Sequence, residues 1–322
     1  MKISKDIAEA AQLLKEGQVI AMPTETVYGL AANALDPTAI SKVYKVKERP
    51  ATNPLIVHIH TIDKLTSLVI EMGANAQRLA EHFWPGPLTL LLKKNDSISD
   101  QVTAGSPLVA IRIPKHPMAF ELLKSVEFPL VAPSANRYTT VSPTSAEHVA
   151  KNLGERIPLI LDGGPCEKGL ESTVVGFDAN DRPLIYRLGA ITLEAIQSIV
   201  PEAEVYESAL SEPAHSPGMA KKHYSPKTAL KVVDDLRAFL ENYSGDQKLG
   251  VLSFGHQGLA SSPHTLVELS QKRDLEEGSQ RLYQSLYALD EANVDLIVAE
   301  WFEDKGLGQT LNDKLKRAST DD

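Results

Sequence analysis

Val19-Ile20-Ala21-Met22-Pro23-Thr24-Glu25-Thr26-Val27-Tyr28-Gly29-Leu30 decides how this chain reads. Its first four residues are an apolar run of strand length, and Pro23 ends that run in hydroxyls, an acid and a tyrosine. Ligands in α/β sheets sit at strand ends, so Thr24 and Thr26 are candidate contacts. Working outward, Asp36 to Tyr44 supplies an N-cap, a proline at the first helical position and an apolar face at helical spacing. That helix delivers Lys47 and Arg49 at its far end, where Pro50 and Pro54 stiffen the backbone beside them. Two readings fit the block: an exposed basic end that suits the helix dipole, or a held pair of cations facing an anion.

The scheme then repeats. A helix over 5–16, stopped by Gly17, precedes a strand over 18–23. Strands follow at Pro54–His60, Leu88–Leu92, Leu108–Pro114, Leu159–Leu161 and Val174–Phe177, with helices at Ala74–Phe83, Ala146–Asn152 and 192–200. Pro129 to Asn136 is a further strand running into Pro133-Ser134-Ala135-Asn136, and Tyr186-Arg187 is another strand end. Alternation of this kind makes an α/β sheet domain over 1–200. Arg112 interrupts an apolar strand, so its guanidinium must meet an acid, a carbonyl or an anionic ligand. Trp84, anchored beside Pro85-Gly86-Pro87, reads as an indole plugging the core. His58 and His60 share a strand face; a lone strand histidine is structural, yet His58 lies beside the motif residues.

From Pro201 to Lys227 the pattern dissolves into Pro, Ala, Ser and Glu, the composition of a linker. Ser216-Pro217-Gly218-Met219-Ala220-Lys221-Lys222-His223-Tyr224-Ser225-Pro226, inside it, is too specific for mere spacer. Strands at Leu230–Val233, Leu249–Phe254, Thr265–Leu269 and Val294–Glu300 then alternate with helices at Leu236–Asn242 and Leu275–Asn293, giving a second, smaller α/β unit over 228–322.

The chain has 322 residues and 43% apolar content, enough for two cored domains. Its one cysteine, Cys166, leaves no internal disulfide framework and no cysteine zinc site. No apolar run approaches the ~18 residues of a membrane span, and the first residues lack an apolar leader, which reads as a cytoplasmic protein. Net charge is −9, carried mostly by the back part: 20 Lys+Arg face 21 Asp+Glu in residues 1–200, against 13 and 21 in 201–322. An acidic second half repels phosphate backbones, so stable nucleic-acid binding is not expected.

Several chemistries are absent from the pattern. There is no G-x-x-x-x-G-K-[ST] loop, no G-x-G-x-x-G after a strand, no H-E-x-x-H and no G-x-S-x-G elbow. What remains is a set of cations (Lys47, Arg49, Arg112, Arg187 and Lys222) with hydroxyl and amide groups (Thr24, Thr26, Asn53, Ser134, Asn136, Ser142 and Ser172), nearly all at strand ends. Lysine serves phosphate as a point charge and arginine serves carboxylate or phosphate as a fork, so the inventory suits a phosphorylated ligand with a small carboxylate. A site of this makeup works by positioning and charge neutralisation.

The ordered motifs resemble the two-domain form of the YrdC-type threonylcarbamoyl-AMP synthases. They are P-T-E-T-V-Y-G-L at 23–30, K-x-R-P at 47–50, N-P-L-I-V-H at 53–58, W-P-G-P-L-T at 84–89, R-x-P at 112–114, P-S-A-N at 133–136, S-P-T at 142–144, D-G-G at 162–164, E-S-T at 171–173, R-x-G at 187–189 and P-G-M-x-x-K-H-Y-x-P at 217–226. G-L-G and N-D-K-L-K-R-A-S near the end match the family's tail. The resemblance implies a twisted open mixed sheet with a concave, positively charged cavity, a linker over 201–227 that closes on it, and a Rossmann-like second domain. It implies an enzyme that makes threonylcarbamoyl-AMP and pyrophosphate from L-threonine, bicarbonate or CO2, and ATP with Mg2+. The product passes to a separate tRNA threonylcarbamoyl transferase complex for modification of an adenosine in tRNA.

Carried over by position, Lys47, Arg49, Ser134 and Asn136 resemble the central tetrad at the nucleotide. Asn53, Ser142, Arg187 and Tyr224 resemble further ATP contacts, and Thr26, His58, Arg112, Ala132 and Ser172 the threonine pocket. The chain departs from the family after Ser-Ala-Asn, where Arg137-Tyr138-Thr139-Thr140 replaces a usual Ser-Gly. Two other readings start from the same residues: an RNA-binding module using the basic cavity, or a carbamoyl-adenylate transferase acting on another substrate.

Overall fold

A computed structural model describes residues 1–206, 224–255 and 264–319. Among them the strands form two sheets. The first has eleven strands in the order Lys2–Ser4, Leu159–Leu161, Ile20–Met22, Gly29–Asn33, Leu130–Val131, Ile56–His58, Leu108–Arg112, Leu88–Lys93, Thr173–Phe177, Pro183–Arg187 and Glu204–Val205. Its pairings are mixed: Ile20–Met22 runs antiparallel to Gly29–Asn33, whereas Ile56–His58 runs parallel to Leu108–Arg112. The second sheet has four strands, all parallel, in the order Ala229–Val233, Leu296–Glu300, Leu249–Ser253 and Thr265–Glu268. Helices flank both, as parallel pairing requires.

The register explains the site. Ala21 pairs with Leu30, so Pro23 to Tyr28 is the loop between two buried strands. His58 pairs with Arg112 on one side and with Leu130 on the other, and Leu130–Val131 leads directly into Ala132. Gly29 lets its strand approach that segment, since a Cβ there would lie 3.0 Å from the Ala132 Cβ. The helix Pro37–Lys47 begins where Asp36 accepts from the Thr38 amide and ends at Glu48, whose φ of 55° turns the chain back toward the sheet.

Apolar packing joins the halves. Val27, Val141 and Leu170 of the first domain lie in one buried cluster with Tyr224, Leu282, Tyr283, Leu286 and Leu315. Each fully buried leucine of that cluster contributes ~1.5–3 kcal/mol. No helix of the described residues is long and apolar enough to cross a membrane.

Several elements differ from the sequence reading. The expected linker begins too early, because Glu204–Val205 adds a parallel edge strand to Leu184-Ile185. Its far end is also structured: Tyr224 is buried and Ser225 bridges to Thr140. Residues 207–223, with Lys222, lie outside the described residues. The helix expected over 192–200 is confined to Leu193–Gln197, capped by Thr192. Trp84 is half-buried at the edge of the core rather than plugging it, and its indole N–H donates to Leu88 O at 2.8 Å. Gly29–Asn33, Lys2–Ser4 and the helix Leu307–Ala318 are additional elements.

Candidate active site

The loops at these strand ends border an open hollow. Of the residues singled out by sequence, Thr24, Thr26, Arg49, His58, Arg112, Ala132, Ser134, Ser172, Arg187 and Tyr224 line it. Lys47, Asn53, Asn136 and Ser142 do not; they are buried one layer behind.

Arg112 resolves the question its strand posed by taking both an acid and a carbonyl. Its Nη2 lies 2.7 Å from Glu25 Oε1, and its Nε donates to Gly86 O at 3.2 Å. Nη1 donates to Thr26 Oγ1 at 2.8 Å. Thr24 donates to Val27 O at 2.6 Å, so the 2.8 Å contact between the two threonine hydroxyls runs from Thr26 to Thr24. The result is a directed chain from Arg112 Nη1 through the Thr26 and Thr24 hydroxyls to Val27 O, while the Glu25 contact at Nη2 is an ion pair by distance. Beside it, burial first and Arg112 second push the His58 imidazole down to about 3. The ring is therefore neutral, and its Nδ1, 3.2 Å from Ile56 O, carries the proton, leaving Nε2 as an acceptor.

On the opposite wall Arg187 donates to Ser172 O at 2.8 Å and to Ser172 Oγ at 3.0 Å, and Ser172 Oγ lies 2.7 Å from Thr89 Oγ1. Arg49 donates from Nε and Nη2 to the carbonyls of Asn53 and Pro54 and to Asn53 Oδ1. Its Nη1 makes no hydrogen bond among the described residues, so one edge of the fork faces the hollow. Burial, with Arg187 adding repulsion, pushes this guanidinium down to about 10.

Lys47 does not reach the hollow. Its Nζ donates to the carbonyls of Ser134 and Asn136, the latter at 2.7 Å. Burial, then Arg49, holds its pKa well below the usual lysine range. Asn136 in turn donates to Arg137 O at 3.0 Å and Thr140 O at 2.7 Å. Tyr138 N donates to Lys47 O at 2.8 Å, and the Tyr138 ring lies 5.8 Å from the Arg49 guanidinium carbon. The departure at 137–140 is thus an ordered turn, with Thr139 at φ 71°, that backs the tetrad.

Sequence reasoning left Glu171 and Glu25 without a role. Glu171 lines the hollow and is buried; its Oε1 accepts from Ser142 at 2.6 Å and its Oε2 from Tyr283, on the second domain, at 2.7 Å. The signal was its place in E-S-T next to Ser172. Tyr224, also from beyond the first domain, is 1% exposed and stacks on Tyr283 with ring centroids 5.7 Å apart. The arrangement offers three arginines, a neutral acceptor and several hydroxyls around one space, the means to hold a carboxylate near a polyphosphate. Among the described residues no group of three or more His, Cys, Asp or Glu is placed to hold a metal ion.

A family profile described as "Telomere recombination", covering Sua5, YciO and YrdC, matches residues 12–189, and one described as "Threonylcarbamoyl-AMP synthase, C-terminal domain" matches 191–320. The threonylcarbamoyl-AMP synthase of Bacillus subtilis is 41% identical over 97% of this chain and 92% of its own length. That of Pyrococcus abyssi is 38% identical over 96% and 93%. The crystal structure of P. abyssi Sua5 complexed with L-threonine superposes with a TM-score of 0.86 at 36% identity, covering 97% of this chain and 94% of that one.

Proposed function

The chain belongs to the Sua5, YciO and YrdC family of those profiles, and from that membership we propose that it is a threonylcarbamoyl-AMP synthase, a nucleotidyltransferase that joins L-threonine, a one-carbon unit and the AMP part of ATP in the synthesis of threonylcarbamoyladenosine in tRNA. The observation that carries this reading is likeness along the full length to enzymes of that name, together with a hollow lined by Arg49, Arg112 and Arg187.

In this reading Arg112 takes the threonine carboxylate, with Glu25 fixing the guanidinium plane, and Thr26, His58, Ala132 and Ser172 shape the rest of that subsite. The His58 Nε2 acceptor suits the threonine hydroxyl or amine. Arg49, Ser134, Arg187 and Tyr224 face ATP; Lys47, Asn136, Asn53 and Ser142 act from behind by fixing the loops that carry those groups. The unprotonated amine of threonine adds to the carbon of CO2 and gives up a proton to solvent, or adds to bicarbonate with loss of water, and either route yields N-carboxythreonine. An oxygen of that carboxylate attacks the α-phosphorus, and pyrophosphate departs with the electron pair of the broken P–O bond. Positioning and charge neutralisation supply the acceleration.

Glu171, the carboxylate at the hollow, already accepts a hydrogen bond on each oxygen, so the donor set fits Mg2+ arriving on the phosphates of ATP. When bound, the ion neutralises phosphate charge. The product is an activated, hydrolysable adenylate, which calls for a transferase partner that accepts it directly.

The experiment incubates purified protein with ATP, Mg2+, bicarbonate and each of several amino acids and measures pyrophosphate. Release that needs both threonine and bicarbonate is the expected result; release indifferent to the amino acid, or none, ends the proposal.

A further inference from the structure

We propose that Lys314, in the second domain, is a positioning residue for the nucleotide side of the hollow, acting through Tyr224 and the Leu188–Gly189 turn. The inference rests on the reading above, which assigns Tyr224 and Arg187 to ATP.

Lys314 lies on the helix Leu307–Ala318 and is 1% exposed. An ammonium is not buried without partners that replace its water. Its Nζ donates to Leu188 O at 2.9 Å and to Asp313 Oδ2 at 2.9 Å, and it lies 5.0 Å from the centre of the Tyr224 ring. Burial works against its charge, but Asp313 first and then Tyr224 and Glu171 raise its pKa above the usual lysine value, so it remains a cation. A cation over an aromatic face is an attractive contact that a neutral side chain does not reproduce.

Two of the three partners of Lys314, Tyr224 and Leu188, belong to the hollow or adjoin it. Tyr224 lines it and holds a left-handed backbone, φ 64°, which a non-glycine residue keeps only where its surroundings fix it. Lys314 and Tyr283 are two of the contacts that hold its ring. Leu188 follows Arg187, and one turn before Lys314 on the same helix Thr310 donates to Gly189 O at 3.1 Å. The helix thus grips consecutive carbonyls of the R-x-G turn with two side chains four residues apart. That turn presses on the segment leading into Thr173–Phe177 that carries Glu171 and Ser172, since a Cβ at Gly189 would come within 2.4 Å of Glu171 O. Lys314 is thus a side chain of the second domain that touches both the tyrosine that closes the hollow and the turn following the arginine on its wall.

The test is a double-mutant cycle of K314M and Y224L, read as ATP affinity and, separately, threonine affinity by calorimetry on the full chain. K314M is expected to weaken ATP at least tenfold and to leave threonine within twofold, a split that general loosening of the fold would not give. The double variant is expected to bind ATP no more than threefold worse than the weaker single variant, because both changes break one contact. ATP affinity within threefold of the parent in K314M, or effects that multiply in the double variant, overturns the proposal. Should K314M lose both ligands together, K314Q, which keeps a donor for Leu188 O without the charge, is read by the same criteria; loss of both ligands there makes Lys314 a folding residue and also overturns it. A parent protein that binds neither ATP nor threonine instead refutes the functional reading, so the two failures are distinct.

Discussion

Glu171 and Tyr283 meet across the boundary between the two sheets, the tyrosine hydroxyl donating to a carboxylate oxygen at 2.7 Å while Ser142 donates to the other at 2.6 Å. One acid at the wall of the hollow is thereby held by both halves of the chain. Y283F leaves that buried oxygen short of a donor, a loss of about 1.5–3 kcal/mol for a bond to a charged group. Urea unfolding should register it, and pyrophosphate release should lose apparent affinity for ATP more than for threonine.

The Arg112–Glu25 pair makes a second prediction. Removing one member of a buried pair strands the other, at a cost of about 3–5 kcal/mol. R112A should therefore lose stability together with threonine-dependent pyrophosphate release. E25A/R112A should regain a good part of the stability but not the threonine dependence, and unfolding curves beside amino-acid titrations distinguish the two effects.

Arg49 lines the hollow with an Nη1 that makes no hydrogen bond among the described residues, while its Nε and Nη2 grip Asn53 and Pro54. R49K keeps the charge but cannot span both, so it should raise the KM for ATP about as much as R49A does, tenfold or more. Recovery of parental kinetics in R49K would contradict that geometry.

Acid sensitivity follows from two histidines. Burial, then Arg112, takes His58 to about 3, and burial, then Lys151, takes His148 to about 4. Below an ordinary histidine value of ~6.5 the unfolded chain binds protons that the folded chain refuses, so stability is complete above that pH and falls as pH drops toward 4. The slope reaches about 1.4 kcal/mol per pH unit for each histidine, and H58N should flatten the urea midpoint between pH 6.5 and 4.

Magnesium removal tests the phosphate-borne ion. EDTA should stop pyrophosphate release while leaving the melting temperature of the ligand-free protein unchanged, as differential scanning fluorimetry would register.

The helices Ala74–Phe83 and Leu236–Asn242 were legible to the residue because their apolar spacing and end signals coincide. Gly29–Asn33 was not, because Gly-Leu-Ala-Ala-Asn carries no β-branched residue and becomes a strand through pairing on both sides. The last helix escaped notice because its buried face includes Thr310 and Lys314, polar residues that break the apolar stripe. Within the site, residue types and strand ends revealed which side chains gather. They could not reveal that Lys47 turns its ammonium onto two carbonyls, or that Arg112 already has an acid, since those depend on rotamers and on pairing between distant segments.

Because Val27, Val141 and Leu170 are packed among side chains of the second domain, the first domain is not a portable cassette. Severed from its neighbour, it would show an oily scar beside the hollow and tend to clump. Any transplant of this catalytic sheet into another scaffold would need those three positions repainted with polar side chains, or the acidic half carried along as its permanent cover.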